Sequence, residues 1–307
     1  MSTPLPAPGI AVDMPAAEYH AHEAVSASDA INLLDACPAV WRHLKDHGVR
    51  PTPALDFGNA AHCWVLENGA FEARYHVLPE GFNAGQTVKQ AAAIAERDAA
   101  VEAGKMLVKQ ADLEVIKAMA DAVRAHPTAR HAFVAGKPEV SLFWRDEEIG
   151  IDCRARLDWM PTAPGAWIFP DLKSTKDANP AELVKDMWNF KYFMRAAWYE
   201  DGLTALGVEG ARYLPIFVDK NPPHQVVPVW PDAASLTWGR ILMKRARSVI
   251  AQCRRTGVWP GYTDDAITLG IPFWADVQLR EKHERGDLDV LDHMAQMQAP
   301  LDQEAAE

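Results

Sequence analysis

Three strand-like segments between residues 137 and 175, the first two alternating and the third an apolar run, constrain the fold of this chain more than any other feature. They are EVSLFW (139–144), IGIDCRARLDWMP (149–161) and GAWIFPDLKS (165–174). Apolar residues at every second position are typical of β-strands, and the short turns between the segments predict an antiparallel meander. Asn179 followed by Pro180 then predicts the start of a long helix, with Asn179 as its N-cap and Pro180 as its first residue.

Helical patterns occupy most of the remaining chain. Residues 25–44 predict a helix with Ser28 as N-cap, a turn at Cys37–Pro38 and a short second helix. Residues 54–69 predict a helix that ends near Asn68 and Gly69. The remaining predicted elements are an irregular crossing (71–86), two helices broken around Gly104 (87–126), two strands (212–220 and 224–231) and a last helix (236–255). Pro215 and Pro228 place the two late strands toward a sheet edge.

These elements predict an α/β protein with a lead-in, a single domain of two parts and a tail. We expect a flexible lead-in at residues 1–18, a single domain at 19–280 and a charged, mobile tail at 281–307. Within the domain, residues 19–136 are mainly helical and residues 137–260 carry the sheet. The acidity of the chain lies largely near its end, because residues 261–307 contain 11 acidic and 3 basic residues.

The amino-acid composition argues against membrane-spanning, secreted and zinc-binding classes of protein. Hydrophobic residues make up 49% of the 307 residues and charged residues 24%, as in ordinary globular proteins. No apolar run reaches the roughly 18 residues of a membrane helix, and the N-terminus does not resemble a secretory signal. The four cysteines are scattered, which favours free thiols over a zinc site. We therefore expect a cytoplasmic protein with no membrane partner.

Net charge gives little information about a nucleic-acid partner. A value of −11 argues against one for the whole chain, but residues 137–260 contain 17 basic and 15 acidic residues. The central region is thus close to neutral, so charge alone does not exclude a site for nucleic acid.

Asp158, Asp171 and Lys173 are the candidate reactive residues of the strands. Asp171 and Lys173 are two positions apart and therefore share a face, and in a hairpin Asp158 would lie opposite Asp171 at about 5 Å between β-carbons. Two carboxylates that close repel each other unless a cation lies between them, and Mg²⁺ prefers oxygen ligands. A lysine beside the ion suits phosphodiester hydrolysis. The alternative is a surface ion pair, because D-x-K is common in strands.

His62 is a candidate metal ligand on the preceding helix. It follows Gly58 by four residues, so both share a helix face, and a glycine there allows another backbone to approach. An imidazole is an unusual ligand for Mg²⁺ but a natural one for Mn²⁺. The alternative is a histidine whose hydrogen bonds are satisfied within the core.

Basic residues on two helices are candidates for DNA contact. Arg240, Lys244 and Arg247 form a stripe on the last helix, and Lys185 and Lys191 lie on the helix after the third strand. Phosphate contacts from such residues would make affinity depend steeply on salt. A basic stripe can equally be an ordinary solvated helix face.

Five segments together resemble the RecE-type exonuclease VIII family, in the RecB-like branch of the PD-(D/E)XK nuclease superfamily. They are FGNAAHCWVLE, PEVSLFW, GIDCRARLDWM, IFPDLKST and YFMRAAWYEDGL, in that order. The resemblance covers residues 19–260, and the ordered set is far more specific than D-x-K alone. It implies a restriction-endonuclease-like PD-(D/E)XK core with a mixed central sheet flanked by helices, and an N-terminal helical region.

The resemblance also assigns roles to residues. It implies His62 as a metal ligand, Asp158 and Asp171 as the two carboxylates and Lys173 as the catalytic lysine.

Three further positions follow from the same comparison. Glu139 stands where related nucleases carry a helper acid, and it is otherwise an ordinary residue at the start of a strand. Tyr199 matches the tyrosine of a Q-x-x-x-Y motif, whose glutamine is replaced here by Arg195. A guanidinium accepts no hydrogen bond, so Arg195 either contacts DNA phosphate or weakens the site.

The activity that the resemblance implies is a Mg²⁺- or Mn²⁺-dependent exonuclease that degrades linear double-stranded DNA, 5′ to 3′, in phage-type recombination. Its implied partners are DNA ends and a single-strand annealing recombinase, and its implied assembly is a ring-shaped tetramer. Two alternatives remain: an endonuclease or nickase of the same fold, and a degenerate protein that only binds DNA.

Overall fold

The computed structural model describes residues 9–48, 53–67, 69–163 and 167–288. Within these residues the strands are β1 (Gly9–Ala11), β2 (Tyr75–Leu78), β3 (Met106–Lys109), β4 (Gly136–Asp146), β5 (Ile151–Pro161), β6 (Ile168–Thr175), β7 (Arg212–Asp219) and β8 (Val226–Pro228). No described helix has an apolar stretch long enough to cross a membrane.

Helices make up most of the rest of the described chain. They are α1 (Ala16–Ala21), α2 (Ala27–Asp35), α3 (Pro38–His47), α4 (Pro53–Leu66), α5 (Phe71–Arg74), α6 (Ala91–Glu102), α7 (Gln110–Ala125), α8 (Pro180–Asn189), α9 (Tyr192–Ala205), α10 (Ala233–Thr256) and α11 (Phe273–Glu284). A 3₁₀ turn, Ala129–His131, follows α7.

The chain divides into two compact units, one ending at Gly261 and the other beginning at Tyr262. The second unit contains α11, which extends into the first residues of the predicted tail. Residues 289–307 of that tail, and residues 1–8 of the predicted lead-in, lie outside the described residues. Residues 9–11 of the lead-in are not an irregular arm, because they pair with β4 as an edge strand.

The strands form a mixed arrangement in which the predicted meander is only half correct. β4 and β5 pair antiparallel, as the sequence predicts. β6 does not continue that ladder and pairs parallel with β7, which in turn pairs antiparallel with β8. The free edge of β5 is partly occupied by Val25, which bonds to Asp152 and Arg154. β6 therefore meets β5 through a side chain rather than through a backbone ladder.

β7 lies in the centre of its sheet, so the expectation that Pro215 marks an edge strand is wrong. The carbonyl of Pro215 still accepts a hydrogen bond from the N–H of Val229 at 2.9 Å, and one missing donor is tolerated inside the sheet. Pro228 does lie on an edge, in β8. The segment predicted as an irregular crossing contains α5 and β2, and β2 pairs parallel with β3.

Helix boundaries follow local capping chemistry. Ser26, and not Ser28, caps α2, in a capping box with Asp29. Asn179 caps α8 as predicted, and Pro180 is its first residue. The single long helix expected after it is broken, because Lys191 adopts a left-handed backbone (φ 55°) between α8 and α9.

The main core lies between the β4–β5 hairpin and helices α2, α9 and α10. Trp198 and Met243 are fully buried there, and the indole N–H of Trp198 donates to the carbonyl of Arg154 at 2.9 Å. α9 and α10 approach closely at Gly239, where a Cβ would lie 2.6 Å from the carbonyl oxygen of Phe193. α4 and α7 pack together on the other side, with α4 against β6, and this packing carries His62 toward the strands.

Candidate active site

Four elements bring the predicted reactive residues to one place. α4 supplies His62, β4 supplies Glu139, β5 supplies Asp158, and β6 supplies Asp171 and Lys173. One ligand atom from each of His62, Glu139 and Asp158 lies within 4.8 Å of the others. Residues that lie far apart in the sequence are therefore brought into one cluster.

The tautomer of His62 is fixed by a backbone group. Its Nε2 lies 2.6 Å from the carbonyl oxygen of Leu172, which can only accept, so Nε2 carries the proton. Burial, followed by the positive charge of Lys173, lowers the pKa of His62 to about 4. The neutral ring thus directs the lone pair of Nδ1 toward Oδ2 of Asp158, 3.3 Å away. His62 is therefore presented as a ligand, since its other nitrogen is already satisfied.

Asp158 joins β5 to β6. Its Oδ2 accepts the N–H of Leu172 at 3.0 Å and lies 3.8 Å from Nζ of Lys173. Burial, followed by the charge of Asp171, raises the pKa of Asp158 well above its usual value. Either a proton or a cation between Asp158 and Nδ1 of His62 satisfies both groups.

Asp171 is held as an anion by two donors. It is 3% exposed, forms an ion pair with Lys173 and accepts a hydrogen bond from the hydroxyl of Tyr213. Burial would raise the pKa of Asp171, but Lys173 and these hydrogen bonds lower it overall. Burial alone would lower the pKa of Lys173, but the two aspartates raise it, so its ammonium stays charged.

Glu139 belongs to the cluster, although the sequence left its role open. It lies opposite Asp158 in the β4–β5 pairing, and its backbone has a left-handed φ of 53°, unusual for a strand. Nε of Arg156 lies 2.6 Å from Oε2 of Glu139. Burial raises the pKa of Glu139 in spite of that partner.

The ligand set differs in one member from the one expected. His62 and Asp158 belong to both the expected set and this candidate cluster, but the third ligand atom of the cluster comes from Glu139, while Asp171 is engaged by Lys173 and Tyr213. One imidazole and two carboxylates fit Mn²⁺ well and Mg²⁺ acceptably. Asp171 lies beside the set on the neighbouring strand.

Tyr213 is a site residue that the sequence did not reveal. Its only signal is a tyrosine in an apolar strand, and its role depends on the parallel pairing of β7 with β6. Tyr199, a residue that the sequence did predict, packs against Tyr213 with the two ring centroids 5.3 Å apart. Burial, followed by the charge of Asp171, raises the pKa of Tyr199 to about 12, so its hydroxyl stays protonated.

Gly58 has a different role from the one expected. A Cβ at this position would meet no atom of another described segment within 4 Å, so none of the described backbone approaches it closely. Gly58 instead lines a cavity of about 620 Å³ together with His62 and Lys173. A second cavity of about 710 Å³ reaches Glu139, and Asn59 and His62 line both. The cluster is therefore accessible from two sides.

The six residues predicted to contact DNA have partners within the chain. These are Ser28 for Arg195, Glu182 for Lys185, Asp35 for Lys191, Glu200 and Asp201 for Arg240, Glu148 for Lys244 and Asp146 for Arg247.

Arg247 does not belong to an exposed basic stripe. It is 8% exposed, lies 2.7 Å from Asp146 and packs against Trp198. Contact of the other five with DNA stays a prediction, although the ion pairs leave their charges partly neutralised.

Comparison with known proteins gives a family and a fold. A family described as a PDDEXK-like domain of unknown function (DUF3799) matches residues 26–268. Among solved structures, the chain is similar to one from Eubacterium rectale described as a "putative exonuclease", with a TM-score of 0.59 and 12% identity over 85% of this chain and 97% of that one. At that identity the likeness shows the fold alone, which is restriction-endonuclease-like. No curated protein matches the chain.

Proposed function

We propose that this chain, which belongs to the DUF3799 family of PDDEXK-like domains, is a divalent-metal-dependent nuclease. One observation carries the proposal: the unprotonated Nδ1 of His62 converges with Glu139 and Asp158 next to the Asp171–Lys173 ion pair. A structural ion pair would need neither the oriented imidazole nor the strained Glu139. The arrangement is open to solvent through the two cavities that share His62.

The protein groups can perform distinct parts of phosphodiester hydrolysis. Water oxygen bonds to phosphorus while the P–O3′ bond breaks, which leaves a 5′-phosphate and a 3′-hydroxyl. The ammonium of Lys173, fixed by Asp171, donates to the water or to a phosphate oxygen on which charge develops. The proton that the water loses passes to solvent through the open cavity that His62 and Lys173 line. A divalent ion held by His62, Glu139 and Asp158 would neutralise phosphate charge and promote ionisation of water.

The resemblance to RecE-type enzymes supports a finer proposal. We infer a 5′-to-3′ exonuclease on linear double-stranded DNA, active in phage-type recombination with Mg²⁺ or Mn²⁺ and a single-strand annealing partner. The same resemblance supports a ring-shaped tetramer, and we propose a cytoplasmic location from the sequence. A ring would keep the enzyme bound to its substrate. Light scattering of the purified protein measures the mass of the assembly and so tests for a tetramer.

The activity is tested with end-labelled linear duplex and covalently closed circular duplex. Each is incubated with Mg²⁺, with Mn²⁺ and with EDTA. We expect stepwise release of nucleotides from the 5′ end of the linear duplex with either ion and none in EDTA. Cleavage of the circle would contradict the exonuclease and favour an endonuclease. No cleavage of either DNA by an ion-binding protein would contradict the nuclease proposal.

A further inference from the structure

The cavity that contains Lys173 also contains two lysines that the catalytic proposal does not use. Lys176 directly follows β6, and Lys220 directly follows β7. The two strands run parallel and end at the same edge, where the N–H of Lys220 donates to the carbonyl of Thr175 at 3.0 Å. Both lysines line the 620 Å³ cavity together with His62 and Lys173.

Lys176 and Lys220 have no carboxylate within ion-pairing distance among the described residues. The cations predicted for DNA contact differ in this respect, because each of them has an acceptor. Lys176 is exposed, and the half-buried Lys220 lies over the ring of Phe57, 4.6 Å from its centroid. Burial, followed by the charge of Lys176, lowers the pKa of Lys220, which Asp112 partly offsets.

Acidic side chains near these lysines are committed to other groups. Asp177 accepts the N–H of Asn179 at 2.8 Å, and Asp186 accepts the hydroxyl of Thr175 at 3.0 Å. Glu182 lies 2.6 Å from Nζ of Lys185. Among the described residues neither lysine is therefore in an ion pair, which leaves both ammonium groups available to an anion from outside the chain.

We propose that Lys176 and Lys220 bind one phosphate group of the nucleic-acid strand beside the bond that is cleaved. This inference rests on the proposed nuclease function. Two ammonium groups at the end of neighbouring strands give a compact point-charge site suited to phosphate, and they carry no base-reading geometry. The bound group is either the terminal 5′-phosphate or an internal phosphodiester, and both have this chemistry.

The test measures binding of a fluorescent duplex in EDTA, so that cleavage does not interfere. The variant Lys176→Gln/Lys220→Gln should bind about tenfold more weakly than the wild type, for every sequence tested. The slope of log affinity against log salt should fall by about one per lost phosphate contact. Lys176→Arg/Lys220→Arg, which keeps both charges, should bind within about twofold of the wild type.

The matched control is Lys89→Gln/Lys117→Gln, which makes the same charge change at lysines that line neither cavity. It should keep both the affinity and the salt slope of the wild type. The exposed Lys176→Gln variant alone should give an intermediate loss, and it keeps the test decisive if the double variant folds poorly.

Two versions of the duplex identify the phosphate. If only the 5′-phosphorylated duplex loses affinity in the double variant, the site binds the terminal group. An equal loss with the 5′-hydroxyl duplex identifies an internal phosphate. Wild-type affinity and salt slope in the folded double variant, or a wild type that binds no duplex in EDTA, would overturn the phosphate site alone. A wild type that cleaves neither DNA with Mg²⁺ or Mn²⁺ would overturn the proposed function as well.

Discussion

At the scale of single residues, the direction of each hydrogen bond explains the protonation of the site residues better than the distances between them do. The carbonyl of Leu172 fixes the tautomer of His62, and Lys173 together with the hydroxyl of Tyr213 keeps Asp171 ionised. The hydrogen bond to Leu172 leaves the Nδ1 lone pair of His62 free for a cation, and the donors to Asp171 stabilise its carboxylate. Both effects can be measured without assaying catalysis.

Replacing Tyr213 by phenylalanine should destabilise the protein in a pH-dependent way. The hydroxyl helps to lower the pKa of Asp171, so its contribution is present above the unfolded pKa of about 3.9 and is lost as pH falls through the lower folded pKa. We expect a loss of about 1.5–3 kcal/mol at pH 7 that shrinks in acid. Urea denaturation at several pH values measures it.

The matched control is Tyr262→Phe, at a tyrosine that is 76% exposed. It should change the free energy of unfolding by less than about 0.5 kcal/mol at any pH. A Tyr213→Phe variant as stable as the wild type at pH 7 would contradict the role assigned to this hydroxyl.

His62 should contribute its own pH dependence. Its folded pKa of about 4 lies below the unfolded value near 6.5, so the unfolded state binds the extra proton as pH falls between these values and stability decreases. His62→Gln keeps a donor for Leu172 and removes the titration. In EDTA, we expect the wild type to lose about 1–3 kcal/mol more than this variant between pH 7 and pH 4. Identical pH profiles would contradict the assignment, and His283→Gln serves as control.

At the scale of helices and strands, the sequence predicted local elements better than their partners. Alternation identified β4 and β5, an apolar run identified β6, and Asn179–Pro180 identified the start of α8. The pairing of β6 with β7 depends on residues 40 positions away and on Val25 covering part of β5, and no local pattern encodes either. Tyr213 was missed for the same reason. Glu139 was found only as a possibility, because its strained backbone arises from the tertiary context.

Two glycines give opposite predictions for helix stability. Gly239→Ala would place a Cβ 2.6 Å from the carbonyl oxygen of Phe193, and this backbone atom cannot move without separating α9 from α10. We expect a loss of about 1–3 kcal/mol. Gly58→Ala in α4 meets nothing within 4 Å and should gain up to about 1 kcal/mol from helix propensity. Chemical denaturation of both variants measures these changes, and an equal effect of the two would contradict the packing described.

At the scale of the whole molecule, a net charge of −11 coexists with a site suited to a polyanion. Most of that acidity lies after residue 260. The cavity beside His62 is lined by three lysines and three acidic residues, and the acidic side chains have partners within the chain. Under the proposed function, charge placement rather than net charge would determine whether DNA can approach.

Lys173→Gln tests catalysis in the whole enzyme. This change keeps a hydrogen-bonding side chain but removes the charge beside Asp171, and we expect DNA cleavage to fall by at least about 100-fold. Lys117→Gln, on α7, should cleave at the wild-type rate. Release of labelled nucleotides measures both, after circular dichroism confirms that each variant is folded. Full activity in Lys173→Gln would remove this lysine from the mechanism.

The most direct test of the account is the location of a bound cation. Crystals grown with Mn²⁺ and measured near the manganese edge should show an anomalous peak at coordination distance from Nδ1 of His62 and from carboxylate oxygens of Asp158 and Glu139. Absence of that peak at saturating Mn²⁺, or a peak that leaves His62 uncoordinated, would contradict the metal site and the nuclease mechanism built on it.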